Sequence, residues 1–162
     1  MQTDVLSAQL TQSGLMVSGR TRLKGVIGTG TNVAGAVNIW DSTVAPTSAT
    51  YGRSGNTITV TSNAHGLLPG RSVGLAFAAG GATNGNYIIQ TAATNTFTVT
   101  DLNAGTVAAG TSCGYNTRWL THYNTNAGND IVTMLIPGEG IVARNGIYAA
   151  MSDQTSITIF YG

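Results

Sequence analysis

From Leu15 onward, apolar and polar residues alternate with a period of two, which predicts strands; nowhere does an apolar stripe recur at helical spacing over several turns. The first fourteen residues differ. There Val5, Leu6 and Leu10 fall at loosely helical spacing among Ser and Gln, which predicts an N-terminal arm (1–14) or a short helix. Next, Arg20, Arg22 and Lys24 alternate with Thr21, Leu23 and Gly25, the pattern of a strand with one basic and one mostly apolar face. Gly28-Thr29-Gly30 punctuates that run. A second run over 33–40 stops before Asp41-Ser42-Thr43 and Pro46.

Between Thr50 and Cys113 the texture becomes denser in Thr and Ala, and the predicted strands become very short. Ile58 and Val60 alternate with threonines, Val73, Leu75 and Phe77 share a face, residues 87–90 form a short apolar run, and Phe97 and Val99 again alternate with Thr. The connections 64–70 and 80–85 hold the Gly, Asn and Pro that tight turns use. After Cys113, four further strands are predicted over 115–123, 131–136, 140–150 and 156–161. The two flanks together approach the length of one β-sandwich of roughly seven strands. The expected fold is therefore all-β: a jelly-roll-like β-sandwich (15–49 plus 114–162) interrupted by a small β-barrel-like or β-sheet domain (50–113).

Composition narrows the function. The 162-residue chain is 42% hydrophobic but only 8% charged, with a net charge of +1. Such a balance lacks the basic excess that binding to free nucleic acid requires. Interface cores are depleted of Lys, Glu and Asp, so low charge fits a homo-oligomer or a subunit of a larger assembly. The single cysteine, Cys113, builds neither a disulfide framework nor a cysteine-based zinc site, and suggests an intracellular origin. No basic n-region with an apolar run opens the sequence, and no stretch nears the length of a membrane span, so neither ordinary export nor membrane residence is expected.

Candidate chemistry is sparse. His65 falls in a turn and His122 within a strand; Asp130 is the acid placed to reach His122 across an Asn-rich hairpin. Asp41, Asp101, Asp130 and Asp153 stand at strand ends or turns, where Asp side chains cap backbone amides, and Glu139 stands alone in Pro137-Gly-Glu-Gly140. A Gly-x-Ser-x-Gly elbow is missing, and the glycines of 28–32 and 80–81 lack the helix N-terminus that a phosphate loop needs, so they read as turns. No catalytic site, metal site or cofactor is expected. Arg20, Arg22 and Lys24 are the one concentrated charge feature: either a solvated face that discourages edge pairing, or a stripe that docks onto an acidic partner.

Two stretches carry a resemblance. Residues 56–67 (NTITVTSNAHGL), Pro69-Gly-Arg-Ser-Val73, Asn84-Gly-Asn-Tyr87 and Asn95-Thr-Phe-Thr-Val-Thr100 resemble a small β-module of tailed-phage virion proteins, met most often in tail and baseplate components. Its landmarks are a His-Gly-Leu turn, a Pro-Gly-x-x-Val strand, an Asn-Gly-x-Tyr turn and an Asn-Thr-Phe-x-Val strand; Arg71 departs from it, where an acidic residue is common. The flanks resemble small virion-associated proteins of marine phages through residues 19–25 (GRTRLKG), Leu135-Ile-Pro-Gly-Glu-Gly-Ile141, Asn145-Gly-Ile-Tyr148 and Thr158-Ile-Phe-Tyr-Gly162.

The resemblance implies a place in a tailed-phage virion, and with the sparse candidate chemistry the expectation is a non-enzymatic structural protein, made in the host bacterial cytoplasm. Capsid decoration or cementing is the first expectation, because a sandwich with an arm and an insert suits a small accessory bound many times over a shell. A tail, neck or baseplate component is the alternative, and a carbohydrate-binding adhesin using Trp40, Trp119 and tyrosines is a third class. The expected partners are the major capsid or tail protein and further copies of the chain.

Overall fold

The computed structural model describes residues 5–162; the first four residues of the expected arm, Asp4 among them, lie outside the described residues. All regular elements among the described residues are strands. They are β1 (Leu6–Leu10), β2 (Gly14–Ser18), β3 (Thr21–Gly30), β4 (Gly35–Asp41), β5 (Thr47–Thr61), β6 (Ser72–Phe77), β7 (Gly85–Ile88), β8 (Thr91–Ala92), β9 (Thr96–Asn116), β10 (Trp119–Thr125), β11 (Ile131–Leu135), β12 (Ile141–Ala143), β13 (Gly146–Ser152) and β14 (Gln154–Tyr161). The chain divides into two compact units, Met1–Ala45 with Leu120–Gly162, and Pro46–Trp119.

The discontinuous unit holds two antiparallel sheets. One runs β1-β14-β3-β11, with β12 pairing β3 beyond β11; the other runs β10-β4-β13-β2. Both β11 and β12 line the same side of β3, opposite Gly25 to Thr29 and Thr21 to Leu23 respectively, so they act as one interrupted strand. Numbered afresh through this unit, the strands then fall in the orders 1-8-3-6 and 5-4-7-2, which is the jelly-roll arrangement of two interlocked Greek keys. Alternate residues of each sheet supply the core between them: Leu23 and Val26 of β3, Val37 and Ile39 of β4, Ile147 and Ala149 of β13, Ile157 and Ile159 of β14 are all essentially inaccessible. Fully burying a side chain such as Leu or Ile contributes about 1.5–3 kcal/mol. That core dominates the unit's stability.

Three expectations about these flanks change. The segment read as an arm or short helix supplies β1, which pairs with β14 from Leu6 opposite Tyr161 to Leu10 opposite Ile157. Leu6, Ala8 and Leu10 alternate with Ser7 and Gln9, and β14 offers an edge for that alternation to extend. The expected basic strand is broken at Gly19, whose φ of 84° turns the chain, so β3 begins only at Thr21. Gly28 and Gly30, read as turn residues, lie inside β3 opposite Val132 and Asp130. Their missing side chains admit Tyr123 and Thr125, a use of strand glycine where another part of the chain approaches closely.

The continuous unit is one open antiparallel sheet in the order β5-β9-β6-β7, with β8 also on β9. Its edges do not meet, so it is a sheet and not a barrel. The strands expected to be short include β5 of 15 residues and β9 of 21, which stay paired across two register shifts, between Tyr51 and Arg53 and between Gly55 and Thr57. Tyr51, Ile58, Val60, Val73, Leu75, Phe97 and Val99 form its core. Edge-to-face aromatic contacts, with centroids 5.7 Å apart for Phe97 and Tyr115 and 5.2 Å for His65 and Phe97, order that core.

Candidate interaction surface

The three cations of the expected docking stripe separate into a turn and a strand. Arg20 is exposed in the turn after Gly19. Arg22 and Lys24 lie on β3 either side of the buried Leu23, both half-buried. Lys24 is the extra residue of a bulge, since Tyr161 stands opposite Leu23 while Phe160 stands opposite Gly25. With β14 on one side and β11 and β12 on the other, β3 is an interior strand, so these cations do not guard an edge.

Around Arg22 the backbone is closely held. Its N–H donates to the Gly162 carbonyl at 3.1 Å and its carbonyl accepts from the Gly162 N–H at 3.2 Å. Its Nη1 donates to the Glu139 carbonyl oxygen at 3.4 Å, a bond that leaves the Glu139 carboxylate out of the contact. The Pro137-Gly-Glu-Gly140 turn thus sits beside the basic positions, held by positive φ at Gly138 and Gly140.

His65, Asp41 and Asp130 each hold a loop. The His65 Nδ1 accepts from the Leu67 N–H at 3.0 Å across the His-Gly-Leu turn. Asp41 Oδ1 accepts from the N–H groups of Arg144 (2.9 Å) and Asn145 (2.7 Å), tying β4 to the β12–β13 turn. Asp130, weighed as a partner for His122, accepts from the Asn126 N–H at 3.0 Å. The other turn residues of the 56–100 segment act similarly: Asn84 caps Phe77, Asn95 caps Ala64, and Asn86 clasps the Trp119 backbone through both its amide oxygen and its amide nitrogen. Only the His65 and Asp130 bonds are local in sequence; those of Asn86, Asn95 and Asp41 tie together segments more than thirty residues apart.

One ion pair escaped the reading of the sequence. Arg53 and Asp101 are both buried, with Nη2 3.4 Å from Oδ2. Arg53 also donates from Nε to the Gly55 carbonyl and from Nη1 to the Gly81 carbonyl, both at 3.2 Å. Asp101 accepts from the N–H groups of Thr83 (2.9 Å) and Asn103 (3.1 Å). Burial pushes the Asp101 carboxyl upward, but these amide bonds and the Arg53 charge together outweigh it and hold it below the usual aspartate range. The signal in the sequence was slight: one Arg in a Thr- and Gly-rich stretch. Its partner stands across the β5–β9 ribbon.

Trp40 is fully buried, so it cannot serve as the stacking platform of a glycan site. Burial also raises the Cys113 thiol to about 11, which keeps it protonated and unreactive at neutral pH. Among the described residues no group of three or more His, Cys, Asp or Glu is gathered as a metal ion would need. Nor does any helix among them have the length and apolarity to cross a membrane.

No protein-family profile matches the chain, and no curated protein is significantly similar to it. Among solved structures it is similar to the Phage phi92 endosialidase, with 22% identity and a TM-score of 0.35, over 57% of this chain and 14% of that one. The chain therefore spans a small part of that protein's length. A likeness so distant assigns neither fold nor activity.

Proposed function

We propose that this chain is a non-enzymatic structural subunit of a tailed-phage virion, and that it decorates or cements the capsid. The observation that carries the structural, non-catalytic part is the use of its acid–base side chains: His65, Asp41, Asp101 and Asp130 each accept from backbone amides that fix a turn or a bulge. The virion part is supported by the resemblance of the flanks and of the 56–100 module to phage structural proteins. Jelly rolls serve viral shells but also lectins and cupins, so the topology is compatible with this reading without selecting it.

Attachment is assigned to the basic positions. Arg20 and Arg22 would form forked hydrogen bonds to carboxylates of the major capsid or tail protein, with Lys24 as a looser charge. A tail, neck or baseplate position is the second reading, favoured by the His-Gly-Leu module. Immunogold electron microscopy of purified particles, with antibody against this chain, tests both. Label over the head supports decoration, label on the tail supports the second reading, and particles without label overturn the proposal.

A further inference from the structure

Strand β11 is an edge of the jelly roll, bonded to β3 on one side and ending the order of its sheet on the other. The Gly30 N–H donates to the Asp130 carbonyl, and the Ile136 N–H donates to the Lys24 carbonyl. In an antiparallel ladder this alternation turns the backbone groups of residues 132 and 134 toward β3 and those of Ile131, Thr133 and Leu135 away from it. The same three residues present their side chains to solvent, Ile131 at 71% and Leu135 at 81% exposure, while Val132 and Met134 pack on the core. The strand has no charge and no proline within it. Charges and prolines are among the devices that blunt natural edge strands, because a bare apolar edge templates pairing with another chain.

We infer that β11 is the contact between two copies of this chain, which pair antiparallel about a two-fold axis through Thr133 and join two jelly-roll sheets into one. The sequence of the strand is its own complement in that register. Ile131 stands opposite Leu135 of the second copy, Thr133 opposite Thr133, and Val132 opposite Met134, so apolar meets apolar on both faces and the polar residue meets itself. Every outward-turned N–H and C=O of the strand then finds a partner, as an isologous interface requires. Pro137, two residues beyond Leu135, lacks the N–H that the next outward position would need, so it stops the ladder. This inference stands without the virion reading, because it concerns the isolated chain.

Cross-linking of the full chain under mild oxidation tests it. In the proposed register the two Thr133 Cα atoms lie about 5.5 Å apart, within disulfide reach. The two Ile131 Cα atoms are four residues out of register, roughly 13 Å apart and beyond reach. Thr133→Cys should therefore give a covalent dimer and Ile131→Cys should not. The native Cys113 is buried and does not compete. Adding Ile131→Lys and Leu135→Lys to Thr133→Cys places like charges opposite each other and should slow cross-linking roughly tenfold. Circular dichroism should stay unchanged, since both side chains are exposed. A monomeric Thr133→Cys, equal cross-linking of Ile131→Cys, or protection of the β11 amides from hydrogen exchange only by a different protein would each overturn the inference.

Discussion

A Cβ added at Gly28 would overlap the phenol ring of Tyr123, a rigid group wedged in the jelly-roll core, so this strand position admits glycine alone. Gly28→Ala should cost about 1–3 kcal/mol, the usual range for overpacking, read as a lowered urea midpoint. An unchanged midpoint would mean that Tyr123 moves freely. Asp101 makes a second residue-scale test. Its carboxyl is depressed in the folded chain, so its contribution is present at neutral pH and is lost as pH falls through the folded value. Asp101→Asn should destabilise by about 3–5 kcal/mol at pH 7, because it strands the buried Arg53 charge. The gap from wild type should narrow as pH drops below the ordinary aspartate range; a gap that stays constant with pH would contradict the assignment. The capping of backbone amides by Asp101 was legible in the sequence and is observed at Thr83 and Asn103, but its pairing with Arg53, and the contact of Gly28 with Tyr123 of the facing sheet, were not, because each depends on a residue far along the chain. His65 was more legible, since its partner Leu67 is two residues on, whereas the capping role of Asp41 fits its residue type but its partners, Arg144 and Asn145, lie over a hundred residues away.

Elements were readable where one face is buried and obscure where neither is. The alternation in β14 matches its buried residues, and in β4, β6 and β13 it picks out the core pairs Val37 and Ile39, Val73 and Leu75, and Ile147 and Ala149, although neighbours such as Trp40 and Gly74 are buried as well. The long ribbon of β5 and β9 was hidden because residues 102–112 are small or polar on both faces, and Leu102, their largest side chain, is 96% exposed. Pairing with β5 keeps that stretch extended, and no period within it can. At the start of β3, a period of two ran on through Arg20 although Gly19 turns the chain. The result is a basic group of one turn residue and two strand residues. Arg20→Gln with Arg22→Gln should leave the melting temperature near that of wild type, while binding to particles weakens and becomes less dependent on salt. Unchanged affinity and salt dependence would reduce these residues to a solvated surface.

For the molecule as a whole, the strand orders 1-8-3-6 and 5-4-7-2 place the continuous unit between the fourth and fifth jelly-roll strands. Period and turn signals exposed the all-β class and the change of texture at the insert, but strand order is a long-range property that no local pattern encodes. Each unit has its own core, built from separate sets of buried residues. Replacing residues 46–119 with a short Gly/Ser turn should therefore leave a jelly roll that melts cooperatively with β-type circular dichroism; loss of that transition would show that the sandwich needs its insert. The central claim concerns place, and the most direct measurement is the copy number of this chain relative to the major shell protein, by quantitative mass spectrometry of purified particles. The account predicts a fixed ratio near stoichiometric with the shell, as a repeated decoration site demands. Absence from the particles, or a trace ratio that varies between preparations, would contradict it.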